Sequence, residues 1–334
     1  LTDRFRWGAR TDVGHVRQVN QDSLLVAEGI FAVADGMGGY QGSEVASAIT
    51  VSALERVWPG QDLDTLLRGV AVANEAILGE AAANPRLLGM GTTLAGLVLL
   101  DGPDPTLVVV NVGDSRVYRF ADHELVQVTQ DHSLVETLVR EGQLDRTQAT
   151  DHPQRNILVR ALGVASPVEV DYWKLPCRAG ERFLICSDGL FNEVADGELA
   201  AACASDDDPQ VIADQLVELA NSRGSRDNVT VVLVDVLAGD AEPMALPVEP
   251  FVAVPRMAAG TDETTVAPEI TVEEDPLHFG IGTPPAPAPA AGVPTAGQPV
   301  PVVEPPAPTL APPPPAAEAP PDLFDPGEPA APSA

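Results

Sequence analysis

Five aspartates in this chain share a setting suited to hard-cation chemistry. Asp35 ends an apolar run, 30–34, and opens the stretch Asp35-Gly36-Met37-Gly38-Gly39. A carboxylate at a strand end beside glycine-rich backbone offers a cation one side-chain donor and one approachable carbonyl. Asp114 (Gly-Asp-Ser-Arg), Asp188 (Ser-Asp-Gly) and Asp227 (Arg-Asp-Asn) also stand at the ends of apolar runs, and Asp22 opens one. Each alone reads as a turn residue, because Asp is depleted in strands and favoured in turns. Together they describe carboxylates that can converge on one rim of a sandwich, where they repel one another unless cations lie between them. Ligands that are all oxygen select Mg²⁺ or Mn²⁺ over Zn²⁺.

The surrounding pattern supplies elements to hold them. Phe5, Trp7 and Ala9 alternate with polar residues as a half-buried strand does, and runs 23–27 and 30–34 are close enough for a hairpin. A first helix is predicted from Ser43 as N-cap along Val45, Ile49, Ala53 and Val57, ended by Pro59-Gly60. A second follows Leu63, Leu66, Leu67, Val70, Ile77 and Ala81 to Asn84-Pro85. Runs 92–100, 107–112, 116–120 and 124–128 are separated only by turn residues, which leaves no room for crossover helices and predicts antiparallel pairing. Residues 132–141 read as a helix and 141–163 as an irregular surface flap. Strands return at 168–175 and 182–186. A last helix is capped by Asp208-Pro209, and a last strand spans 229–237. The fold class is α+β: an α-β-β-α sandwich of two largely antiparallel sheets flanked by helices.

Composition divides the 334 residues at about 240. Residues 241–334 hold 25 of the 33 prolines and 13 acidic residues against one basic residue, Arg256. Such a segment buries too little apolar surface to offset its ordering entropy, so a disordered acidic Pro/Ala-rich tail is expected after a catalytic body at 1–240. Pro313-Pro314-Pro315 reads as a solvated spacer in the tail, with a groove-binding partner as the sharper alternative. The net charge of −30 argues against nucleic acid, and it means that any phosphate site needs local positive charge. Three scattered cysteines, no signal-peptide pattern and no long apolar run predict a cytoplasmic protein without a membrane span.

The motifs Arg17 with Asn20-Gln21-Asp22, Asp35-Gly36-Met37-Gly38-Gly39, Gly91-Thr92-Thr93, Gly113-Asp114-Ser115-Arg116, Ser187-Asp188-Gly189 and Asp227-Asn228 occur in this order. As a set, over residues 4 to about 237, they resemble the metal-dependent protein Ser/Thr phosphatases of type 2C, in particular the bacterial branch that counteracts eukaryotic-like Ser/Thr kinases. The resemblance implies hydrolysis of phosphoserine and phosphothreonine in proteins by a metal-activated water, with two or three Mn²⁺ or Mg²⁺ ions per chain. It implies that Asp35 bridges two ions, that Gly36 gives its carbonyl to one, and that Asp188 and Asp227 ligate the second. Asp22 is then expected to act through water, Asp114 with Asp188 to match a third and weaker position, and Arg17 to bind the phosphate. Such a pair of ions, about 3.5–4 Å apart, suits in-line displacement, and a guanidinium fork orients the ester.

Two positions depart from the pattern. Met37 stands where animal members have a histidine, so the leaving-group proton donor is open, with water, His132 and His152 as candidates. Gln21 replaces the glutamate of many members. Arg116 and Arg119 read as salt-bridging residues, whereas Arg155 and Arg160 are minor candidates for substrate contact. The expected partners are phosphorylated proteins, including a eukaryotic-like Ser/Thr kinase and its substrates, and a monomer is expected. The rival readings are a catalytically weak pseudophosphatase that binds phosphoproteins and an enzyme for small phosphoesters.

Overall fold

The computed structural model describes residues 4–27, 29–38, 42–58, 62–100, 105–149, 152–239, 246 and 249–255. Gly39, the helix stop Pro59-Gly60, the turn Asp101-Gly102-Pro103, residues 256–334 and the proline run within them lie outside the described residues. Among those described, no helix is long and apolar enough to cross a membrane.

The strands are β1 (Phe5–Asp12), β2 (Asp22–Ala27), β3 (Ile30–Met37), β4 (Gly91–Thr92), β5 (Leu94–Leu100), β6 (Thr106–Val112), β7 (Arg116–Ala121), β8 (Glu124–Gln127), β9 (Val170–Pro176), β10 (Arg182–Cys186), β11 (Val229–Val236) and β12 (Phe251–Ala253). One sheet runs β1-β11-β10-β7-β8 and the other β12-β9-β6-β5-β3-β2, with β4 on β3. Each described strand pairing is antiparallel, as the short connections predict.

Period-two alternation builds the layers. On β5, Ala95, Leu97 and Leu99 point between the sheets, while Leu94 and Val98 pack under the helices. On β11, Val232, Val234 and Val236 face the same interior as Phe31, Trp173 and Phe183, while Val231 and Leu233 face the opposite helical layer. Helices α1 (Ser43–Val57) and α2 (Leu63–Ala83) cover the first of these layers through Ile49, Leu54, Leu66 and Ile77. Helices α6 (Asp196–Cys203) and α7 (Pro209–Ser222) cover the other through Leu199, Ile212 and Leu216. Between them in sequence lie α3 (Leu134–Arg140), α4 (Arg146–Ala149) and α5 (Asp188–Phe191). The α-β-β-α sandwich is therefore observed.

Some details differ from the sequence reading. Gly42, at φ +106°, caps α1 in place of Ser43, whose hydroxyl donates to the Gly38 carbonyl at 2.9 Å and so ties the glycine stretch to the helix start. The span 141–163 is irregular apart from α4, and bridges Ser133↔Leu158 and Thr92↔Leu162 anchor its final part to the sandwich.

The boundary at 240 also needs correction. Phe251–Ala253 form β12 on the edge of β9, with Phe251 stacked on Tyr172 at 5.3 Å. A Phe-Val-Ala-Val run in an otherwise proline-rich stretch carries this pairing. Ending the chain after Gly239 is therefore expected to cost about 1–2 kcal/mol of stability relative to ending it after Pro255. Urea melts of the two truncations measure the difference, and coincident midpoints would remove β12 as a stabilising element.

Candidate metal centre

Asp22 and Asp35 are directly opposed in the β2–β3 hairpin, which puts two carboxylates side by side where like charges are unfavourable. The backbone of Asp35 is held on all sides. Its N–H donates to Thr93 Oγ1 at 2.9 Å, and its carbonyl accepts from the Thr93 amide at 2.9 Å and Thr92 Oγ1 at 2.8 Å. The Thr93 hydroxyl in turn pairs with Ser115, the neighbour of Asp114, at 2.7 Å. A Cβ on Gly36 would lie 2.3 Å from the Ser43 carbonyl oxygen and 2.5 Å from that of Gln21, so only glycine brings the chain through there.

Asp22 is 8% exposed, and its Oδ2 accepts from Ser187 Oγ at 2.8 Å and Thr230 Oγ1 at 2.7 Å. Its other oxygen, Oδ1, is buried and meets no donor. Asp188 begins α5 directly after β10 and takes a bond from Asn192 Nδ2 at 3.1 Å. Asp114 follows Gly113 at the end of β6. Asp227 lies just before β11 and accepts from Arg17 Nη2 at 2.7 Å. Asn228 shapes the Arg17 loop: its Oδ1 accepts from the Gln21 amide, and its Nδ2 donates to the Val13 and Val19 carbonyls.

The six predicted side chains lie near enough to one rim to feel one another's charge, with the Gly36 backbone beside them. Burial pushes the Asp22 carboxyl up to about 6 against the help of its two hydroxyl donors. Burial, then the charge of Asp131, brings Asp114 to about 7. Asp35 and Asp188 are held well above the ordinary carboxylate range by burial and by the charges of the other aspartates. The carboxylates sense one another's charge, yet among the described residues no three Asp, Glu, His or Cys side chains close into a ligand set around one point. In donor type the site fits a hard divalent cation: it is all oxygen, mutually repulsive, and contains one buried oxygen that meets no donor.

A cleft of about 330 Å³ adjoins Asp114 and Asp188, with Arg146, Arg155 and Asn156 of the flap on its other wall. Of the arginines there, Arg116 is committed to Asp131 and lies 3.7 Å over the Phe191 ring, as its salt-bridging reading anticipates. Arg119 is likewise paired, with Glu181. Arg160 pairs with Asp171 and Glu169 and does not line the cleft, whereas Arg155 is exposed on the cleft wall.

The histidine candidates for proton donor do not fit. His132 is buried with both ring nitrogens engaged, and His152, which caps the Gln154 amide, does not line the cleft. Met37 pairs with Gly91, and its thioether carries no proton to give. Sequence reasoning missed the supporting roles of Thr230, Asn228 and Asp171. Thr230 sits unmarked inside an apolar strand, and its partner Asp22 lies 208 residues away.

The protein phosphatase 2C family model matches residues 13–228. The serine/threonine phosphatase stp of Listeria monocytogenes is 39% identical over 239 residues, covering 68% of this chain and 94% of that protein. The serine/threonine protein phosphatase PstP of Mycobacterium tuberculosis is 41% identical over 242 residues, covering 71% of this chain and 46% of that protein, so the chain spans about half of this relative. Among solved structures, M. tuberculosis PstP/Ppp superposes with a TM-score of 0.66 at 39% identity, covering 70% of this chain and 100% of that one. The PstP catalytic domain in complex with two manganese ions gives 0.64 at 38%, covering 70% and 99%. With the family model matching well over half of its length, this chain belongs to the protein phosphatase 2C family of serine/threonine phosphatases.

Proposed function

We propose that the chain hydrolyses phosphoserine and phosphothreonine in proteins with Mn²⁺ or Mg²⁺ held at this rim. Asp35, the Gly36 carbonyl, Asp188 and Asp227 hold two ions. Asp22 acts through water, and Asp114 with Asp188 serves a third, weaker ion. The observation that carries the reading is the convergence of mutually repelling carboxylates, Asp22 buried and the others half-buried, on a rim that also holds Arg17. The relative solved with two manganese ions supports the choice of metal.

When bound, such ions lower the pKa of water and offset the charge of the phosphoryl group in flight. The protein's residues do the rest. Thr92 and Thr93 lock the Asp35 backbone so that its carboxylate stays at the rim. Ser187 and Thr230 hold Oδ2 of Asp22 and leave Oδ1 turned to the site. Arg17, 47% exposed at its side chain, swings from Asp227 to take two phosphate oxygens in its fork. Small substrates do not need the 256–334 segment. Physiological substrates are phosphoproteins, which the names of the relatives favour over small phosphoesters, and they include a eukaryotic-like Ser/Thr kinase of the cytoplasm.

Hydrolysis of p-nitrophenyl phosphate and a phosphothreonine peptide is expected with Mn²⁺ and not with EDTA. Full activity in EDTA would sink the metal reading, and no activity with Mn²⁺ on either substrate would favour the pseudophosphatase. Arg17→Ala is expected to raise KM about 10- to 100-fold, the worth of a charge-assisted contact to phosphate. An unchanged KM would take Arg17 out of the substrate site.

A further inference from the structure

His132 precedes α3 and is 7% exposed, beyond the reach of substrate. Its imidazole Nδ1 accepts from the Gly113 amide at 3.0 Å, and its own amide donates to the Gly113 carbonyl at 2.9 Å. One residue therefore holds both polar groups of the glycine that precedes Asp114. Asn111 Nδ2 adds a second donor to that carbonyl, at 3.2 Å. Gly113 sits at φ +108°, where a Cβ would lie 2.7 Å from Thr93, so this turn is strained for any other residue.

The bond from Gly113 requires Nδ1 to be unprotonated, which leaves the ring proton on Nε2. That proton faces Asp171 Oδ2 at 3.1 Å, and Arg160 Nη1 occupies the other carboxylate oxygen at 2.5 Å. Arg160 Nη1 also lies 3.0 Å from Nε2, but two donors cannot bond, so its acceptor is Asp171. Asp171 is itself fixed in β9, opposite Asn111 on one side and Val252 on the other.

We propose that His132 is a positioning residue for the reaction: its neutral imidazole, oriented by Asp171, clamps the Gly113 peptide and so fixes Asp114 beside Asp188. The proposal rests on the reading of Asp114 as a metal ligand given above. Without the clamp, Asp114 is free to turn away from the neighbouring carboxylates that repel it, and the weakest ion loses a ligand. Partners one step behind a ligand commonly govern metal affinity by 10- to 100-fold.

Calorimetric titration of the full chain with Mn²⁺ separates the possibilities. His132→Asn keeps an acceptor near the Nδ1 position, His132→Gln keeps a donor near Nε2, and His132→Leu keeps neither. The weakest Mn²⁺ binding event is expected to weaken about tenfold or more in His132→Leu and His132→Gln, and to stay within about threefold in His132→Asn. Equal losses in the Asn and Gln variants would show that the ring only fills space, and wild-type binding in His132→Leu would also overturn the clamp.

Asp114→Asn is the control. If it loses the weak event while His132→Leu does not, the clamp alone fails. If it binds as wild type, the reading of Asp114 fails, and the proposal with it. Nitrogen-15 spectra of the unmutated protein test the tautomer whatever the variants' stability. An unprotonated Nδ1 on His132 is expected, and a proton there overturns the proposal.

Discussion

Asp35→Asn is expected to remove Mn²⁺-dependent turnover by ~10³-fold or more and, in the same protein, to raise the melting temperature measured in EDTA. The loss follows from the role proposed for Asp35: a neutral amide would hold divalent cations poorly, and the charge stabilisation they would supply dominates the rate enhancement. The gain follows from the hairpin. Asp22 and Asp35 are Cα partners across β2 and β3, and Asp22 Oδ1 is buried without a donor. An Asn at 35 needs neither an ionised carboxylate opposite Asp22 nor a retained proton, and it can donate its amide to that oxygen, a change worth about 1–2 kcal/mol. Mn²⁺ should then raise the variant's melting temperature much less than the wild type's. A retained rate would remove Asp35 from the centre. A melting temperature lowered in EDTA would mean that the pair is not a source of repulsion.

The second large effect is in pH. Asp22 at about 6 and Asp114 at about 7 keep their protons in the folded chain well above the unfolded carboxylate value, and Asp35 and Asp188 are shifted the same way. The folded state therefore binds more protons than the unfolded state across that window, so stability is fully present below the unfolded value and is lost as pH rises through the folded values. Each retained proton is worth about 1.4 kcal/mol per pH unit. In EDTA the melting temperature is expected to fall between pH 5 and pH 8. Cations compete with those same protons, so the rise produced by Mn²⁺ should be larger at pH 8 than at pH 5. Thermal melts across pH 5–8 with EDTA or Mn²⁺ measure both. An EDTA melting temperature that climbs through this range, or a Mn²⁺ shift independent of pH, would contradict the assignment.

The aspartates of the rim were legible because Asp beside Gly at a strand end is marked locally, in types and spacing that a single pass can see. The strands were legible for the same reason, since an apolar run such as that of β5, β6 or β11 is a property of neighbouring residues. Contacts between distant segments were not. Thr230 reads as one more β-branched strand residue until Asp22 is beside it, and Asn228 as a turn residue until the Val13 and Val19 carbonyls arrive. Helix α6 was overlooked because Asp-Gly-Glu-Leu-Ala-Ala-Ala-Cys has no strong apolar stripe; only Leu199 and Cys203 in it are buried. Strand β12 was hidden by averaging: three pairing residues disappear in the composition of a proline-rich segment.

In the function proposed above, Asp227 is shared between a guanidinium and a cation site, and Arg17 between a carboxylate and a phosphate. A phosphate that draws Arg17 away frees Asp227, and a cation that takes Asp227 frees Arg17. The two ligands therefore strengthen each other's binding by the same factor, as linkage requires. Apparent substrate affinity should rise with Mn²⁺ concentration, and Mn²⁺ affinity with phosphate. With neither ligand bound, the 2.7 Å ion pair is a self-closing latch that weakens the binding of either ligand alone.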